Sequence, residues 1–171
     1  MIRRPMAAHY VRPINPADDQ ALRQFVRELS PASRYARFMA ALRELPRHML
    51  DRLLNPIAGR EAVLVANSTV DGIVGLAQYV ADESGRGCEI ALVISDAWQH
   101  QGLGTEMLDA LVNVASENAI GHFHADVLAD NYPMRALARK TGCDVRILRE
   151  APFLVQISRS IQLPADARLW Q

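Results

Sequence analysis

Two glycines interrupt the stretch "VISDAWQHQGLGTEMLDAL", residues 93–111, where an apolar run gives way to a helical pattern. Gly102 and Gly104 stand at the start of that helix. Glycine costs about 1 kcal/mol relative to alanine in a helix interior, so the pair calls for a reason. A helix start leaves backbone N–H groups unpaired and carries partial positive charge. With no side chain at either position, a phosphate can approach those groups closely. The chemistry this spacing offers is anion binding by backbone amides. The alternative is a turn whose glycines are incidental.

A second candidate lies just upstream. Glu89 opens the apolar run "CEIALVI", an unusual place for a carboxylate. An ammonium group has a pKa of about 10.4 and must lose a proton before it can attack. A carboxylate whose pKa is raised by burial can take that proton, directly or through a water. Otherwise Glu89 pairs with an arginine on a neighbouring strand.

The remaining chemical residues point less sharply. His9, His48, His100, His122 and His124 show no metal-type spacing with acids. "HFH" puts His122 and His124 on one face of a strand, and a structural or surface role is expected for them, since a closed metal site needs more ligands. Cys88 and Cys143 also lack metal spacing and fit two reduced, partly buried thiols. In "SRYARF", Arg34, Arg37 and Phe38 fall on adjacent helical turns. They either rim a binding site or anchor the helix, with Phe38 inward and the arginines outward.

The elements that must position these residues follow from local signals. "HYVRPI" alternates as a first strand. Asn15 with Pro16, and Ser30 with Pro31, are helix starts. "PRHMLDRLL" continues the helical region to "NP". Then "EAVLVANS" and "GIVGLAQYVAD" read as strands joined at Asp71-Gly72, a hairpin signal. "CEIALVISD" is a third consecutive strand, apolar enough to be central and covered on both faces. In the long helix, Met107, Leu108, Leu111, Val112, Ala115 and Ala119 share one face. "HFHADVLAD" is a strand and "YPMRALARKTG" a helix with Gly142 as C-cap. "CDVRILRE" and "FLVQISRSI" close the chain as two strands. No repeat or linker divides these elements, so residues 1–171 read as a single mixed α/β domain.

The totals agree with that. The chain has 171 residues, half of them hydrophobic, enough for one domain with a core. No apolar run reaches the roughly 18 residues of a membrane span, and "MIRRPMAAHYVRP" has no apolar segment of a secretory signal. A cytoplasmic location is expected, with no membrane or nucleic-acid partner. Net charge is zero, but residues 1–60 carry 11 Arg against 5 acids, while residues 61–171 carry 8 basic residues against 14 acids. The basic third either favours an anionic partner or is a solvated helical surface.

Three known devices hold phosphate on such a turn. A P-loop needs Gly-Lys-Ser/Thr, and here Thr105 follows Gly104 directly. A dinucleotide fingerprint needs a third small residue, where this chain has Met107, and its parallel sheet does not suit three hairpin-linked strands. The third fits. Gln99-His100-Gln101-Gly102-Leu103-Gly104, after a strand and before a long helix, resembles the acyl-CoA pyrophosphate loop of the GNAT superfamily, Gln/Arg-x-x-Gly-x-Gly/Ala. "LSPASRYARF", "EAVLVA", "CEIALVISDAWQHQGLG" and "VLADNYPMRALARKTG" extend the likeness to the acetyltransferase module of bacterial protein lysine acetyltransferases.

The resemblance implies a GNAT-like fold, a mostly antiparallel central sheet flanked by helices. It implies acetyl-CoA as co-substrate, with no metal. The backbone of Leu92, Val93 and Ile94 would hold the pantetheine arm, and the amides of Gln99, His100, Gln101, Gly102, Leu103, Gly104 and Thr105 the pyrophosphate. Asn131 would touch the pantetheine, and Glu89 would be the general base. Two positions depart from the family. Ala138 stands where many members carry a tyrosine that protonates the leaving thiolate, and Cys143 replaces the phenylalanine of "Gly-Phe". Nearby Tyr132 reads as a surface residue. A thiolate, with a pKa of about 8.5, can leave without help. The implied activity is N-acetyl transfer to a protein lysine or, second, to a small-molecule amine. The rival is a non-catalytic acyl-CoA-binding regulatory module. A homodimer is compatible with either.

Overall fold

The computed structural model describes residues 8–164. The basic N-terminal stretch, read above as no secretory signal, lies mostly outside them.

Seven strands form one sheet in the order β1-β2-β3-β4-β5-β7-β6. They are β1 His9–Pro13, β2 Glu61–Ser68, β3 Gly72–Ala81, β4 Gly87–Ile94, β5 His122–Leu128, β6 Asp144–Ile147 and β7 Leu154–Ser160. β1 runs antiparallel to β2, and β7 antiparallel to both β5 and β6. β4 and β5 are parallel, with Glu89 in register with His124. The helices are α1 Asp19–Glu28, α2 Pro31–Phe38, α3 Arg47–Leu54, α4 Leu103–Glu117 and α5 Tyr132–Lys140. The chain clusters into two compact units. One gathers the chain through Pro56, Val63–Ala77 and Leu92–Leu108; the other gathers Ile57–Ala62, Gln78–Ala91 and the chain from Asp109 onward.

In the first unit the expected helix starts are built as the sequence indicates. Asn15 and Asp18 form a reciprocal capping box over a short 3-10 turn, and the Ser30 hydroxyl accepts from the Ser33 N–H. Leu22, Phe25 and Val26 of α1, with Leu50 and Leu53 of α3, bury against Val65 of β2 and Leu76 of β3. That burial is worth about 1.5–3 kcal/mol per large side chain. It fixes the strands that carry the loop.

The second unit shows the alternation of a sheet with one covered face. Phe123, Ala125 and Val127 of β5 are buried, while His122 and Asp126 are exposed and His124 half-buried. Two expectations change here. β4 is central, but it is not covered on both faces: Glu89 is exposed, and Ala91 and Leu92 are half-buried. An apolar run reports composition, not how far the neighbouring layers extend over it.

Ala119 is not on the buried face of α4. The helix ends at Glu117, and Ala119 is exposed with a left-handed φ of 60°. Its N–H donates to the Ser116 carbonyl and that of Ile120 to Ala115, a Schellman closure that turns Ile120 inward. An alanine there costs about 1–2 kcal/mol that glycine avoids. Ala119→Gly is therefore expected to raise the urea midpoint, by about 1 kcal/mol of stability. An unchanged or lower midpoint would show that the closure is not strained.

Candidate functional site

The loop after β4 is held in shape from both sides. Residues 96–98 form a 3-10 turn with Trp98 buried. The Gln99 side-chain amide donates to the Ile94 carbonyl at 3.0 Å and to the Ser33 hydroxyl at 3.2 Å. Gln101 donates to the Ala97 carbonyl at 2.8 Å. The two glutamines of the motif thus brace the loop with their side chains.

The backbone then takes unusual turns. His100 has φ 60° and Gly102 φ 96°. A side chain on Gly102 would meet nothing within 4 Å, so glycine is required there by conformation, and the space beyond it is open. The N–H groups of Thr105 and Glu106 both reach the Gly102 carbonyl, at 3.0 and 3.2 Å. Among the described residues, no hydrogen bond uses the N–H groups of Leu103 or Gly104. They are the free first donors of a 15-residue helix. Unused amides, a left-handed glycine and open space form a donor set that fits a diphosphate.

What anchors this loop from afar is not marked in the local pattern of residues. Asp96 accepts from the Ser30 N–H at 2.9 Å, the Ser30 hydroxyl at 2.7 Å and the Ser33 hydroxyl at 2.8 Å. It ties the start of α2 to the loop. Burial pushes the Asp96 carboxyl up, but the hydrogen bonds from Ser30 and Ser33 outweigh it and hold the group below the usual aspartate range. A lowered folded-state pKa adds stability that is fully present above the unfolded value and lost as pH falls through the folded one. The melting-temperature gap between wild type and Asp96→Asn is thus expected to be larger at pH 6 than at pH 3. An equal gap at both would mean the carboxylate charge does not matter there.

Gly75 of β3 was also missed. A side chain on it would overlap the Met107 sulfur and crowd Ile94 Cδ1 at 3.1 Å. It lets the first turns of α4 sit close on the strand. The pair Arg34–Phe38 resolves toward anchoring. The Arg34 guanidinium donates to the carbonyls of Val26 and Arg27, each at 3.2 Å, and Phe38 packs on the core.

Glu89 and Asn131 belong to the second unit. Glu89 is exposed, so the burial invoked for it above is absent. Nor, among the described residues, does any ion pair or side-chain hydrogen bond involve it, so the arginine partner is absent too. Asn131 caps α5, its side-chain oxygen accepting from the Met134 N–H at 3.1 Å, which leaves its NH₂ donors for other use. Ala138 is buried and Tyr132 is 70% exposed, so Tyr132 is a surface residue as expected. Cys88 and Cys143 are free thiols. Burial pushes the Cys88 thiol up to about 12, which keeps it inert. A surface cavity of about 740 Å³ against Val112, Asn113, Ser116 and Arg159 includes none of the expected site residues. No group of three His, Cys, Asp or Glu among the described residues is placed to hold a metal.

Comparison with known proteins agrees with this geometry. An acetyltransferase of Pseudomonas aeruginosa is 32% identical over 135 residues, covering 77% of this chain and 73% of that protein. The GNAT domain of S. lividans PAT superposes with a TM-score of 0.81 at 24% identity, over 88% of this chain and 89% of that one. The yncA protein of Salmonella typhimurium, a putative acetyltransferase solved with its cofactor acetyl-CoA, superposes at 0.73 and 16% identity, over 93% and 97%. The model of the acetyltransferase (GNAT) domain matches residues 9–144, well over half of the chain, which therefore belongs to the GNAT family of acetyl-CoA-dependent N-acetyltransferases.

Proposed function

We propose that this chain acts as a single catalytic domain that transfers the acetyl group of acetyl-CoA to a lysine side chain of a protein, with Glu89 as general base. The observation that carries the reading is the loop at Gly102, whose free amides and open space suit a diphosphate. The lysine acceptor is supported by the resemblance to bacterial protein lysine acetyltransferases noted from the sequence.

Acetyl-CoA, when bound, supplies a thioester carbonyl open to attack by a neutral amine. The residues of this chain do the rest. Of the amides from Gln99 to Thr105, those of His100, Gln101, Gly102, Leu103 and Gly104 hold the diphosphate, because the N–H groups of Gln99 and Thr105 are already given to the Asp96 and Gly102 carbonyls. The backbone of Leu92, Val93 and Ile94 holds the pantetheine arm. N–H groups of the same strand stabilise the developing oxyanion. Glu89, three residues upstream on β4, takes the ammonium proton. No side chain is assigned to protonate the departing thiolate.

The test sets a proteome of acetylatable proteins beside a library of small amines, with acetyl-CoA as donor. Acetyl-lysine accumulating on proteins, with small amines turned over far more slowly, is the expected result. Turnover of small amines alone would assign the second acceptor class. Binding without turnover of either would make the chain a regulatory module.

A further inference from the structure

We propose that His124 is a second member of the proton acceptor, taking from Glu89 through one bridging water the proton that leaves the attacking amine. The proposal rests on Glu89 as general base. Its ground is the register of the parallel pair: Glu89 of β4 lies opposite His124 of β5. Residues in register project to the same face of a sheet. Ser158 of β7 is the partner of His124 on its other side, and Asp144 of β6 the partner of Ser158. Glu89, His124, Ser158 and Asp144 thus run in one row across four strands. Burial agrees, since Glu89 and Asp144 are exposed and His124 and Ser158 half-buried, while Phe123 and Ala125, on the opposite face, are buried.

The charged and titratable groups that share this face with His124 include Glu89 of β4 and Asp144 and Arg146 of β6, the last in register with Gln156. Along its own strand stand His122 and Asp126, and Asp126 accepts from Gln156 of β7 at 3.1 Å. The His122 ring lies where a side chain on Gly87 would be, beside Asp82. Gly87 therefore clears the room that the His122 ring takes over β4.

The row answers a chemical need. Carboxylates in water hold a proton only below about pH 4.3, whereas an imidazole holds it to about 6.5, nearer the operating pH at which a base works best. In the step, an N–H bond of the ammonium breaks and its electron pair stays on nitrogen, which becomes the nucleophile. The proton passes to the Glu89 carboxylate and, through water, to a ring nitrogen of His124. The imidazolium then loses it to solvent between turnovers. No direct hydrogen bond joins Glu89 and His124 among the described residues, which is why a water is invoked.

The test is kcat and KM from pH 5.5 to 8.5 for wild type, His124→Gln, Glu89→Gln and the double variant, with acetyl-CoA and a verified amine. His124→Gln is expected to lose about tenfold in kcat at pH 7.5, with KM for acetyl-CoA within about twofold. The deficit should shrink toward pH 5.5, since a protonated imidazole cannot accept the proton and the wild type then loses the same step. Because the two residues act as a unit, the double variant should be little worse than Glu89→Gln alone. His124→Asn repeats the measurement if glutamine lowers the melting temperature. A deficit constant across pH, a loss confined to KM for acetyl-CoA, or a double loss equal to the product of the singles overturns the relay. If Glu89→Gln is silent while His124→Gln keeps its pH-dependent loss, the base assignment of Glu89 falls, and the imidazole acts alone.

Discussion

Glu89→Gln is expected to lower kcat/KM by roughly 10²–10⁴-fold, the usual worth of general base catalysis. That is about 3–5 kcal/mol of barrier at 1.36 kcal/mol per tenfold. The fold should survive intact. Glu89 is exposed and no described ion pair or side-chain hydrogen bond depends on it, so glutamine, nearly isosteric and polar, removes only the basic group. The deficit should shrink at high pH, where the amine loses its proton unaided. Wild type should show an ascending limb in its pH–rate profile that the variant moves toward the amine's own pKa. A variant within threefold of wild type at neutral pH, on a verified substrate, would assign the proton to another group.

The second large effect is on binding. Gly104→Glu is expected to weaken acetyl-CoA affinity by on the order of 100-fold in titration calorimetry, since hydrogen bonds to charged groups are worth about 1.5–3 kcal/mol each. The substitution sets bulk and negative charge among the amides that would hold a diphosphate. It should not harm folding, because an acidic residue in the first turn of a helix is favourable by about 0.3–1 kcal/mol, and glutamate is a better helix former than glycine. Ligand-free melting temperatures should thus be equal or slightly higher in the variant, while the rise that acetyl-CoA gives the wild type by mass action disappears. Equal affinities for the two proteins would remove the diphosphate from this loop.

Much of the molecule was legible because its signals act over a few residues. Asn15 and Ser30 cap the turns they precede, since a side-chain oxygen reaches only the next two or three amides. The motif Gln99–Gly104 lies between a short turn and a helix start, so its spacing alone marks the loop. The mixed sheet followed from the change of period along the chain, and the GNAT resemblance from residues that recur in order.

What needed the tertiary structure is set by contacts between segments far apart in sequence. Ser30 and Ser33 meet Asp96 across more than sixty residues, and nothing in "SPASRYARF" announces an acceptor waiting there. Gly75 and Gly87 read as ordinary strand glycines until Met107 and the His122 ring are laid over them. β7 enters between β5 and β6, an order that two consecutive strands of similar pattern do not specify. The exposure of Glu89 and its place beside His124 depend on strand register. A slip of one residue would send one of the two side chains to the opposite face. Local chemistry is written along the chain, but which side chains share a face is decided only when the strands are paired.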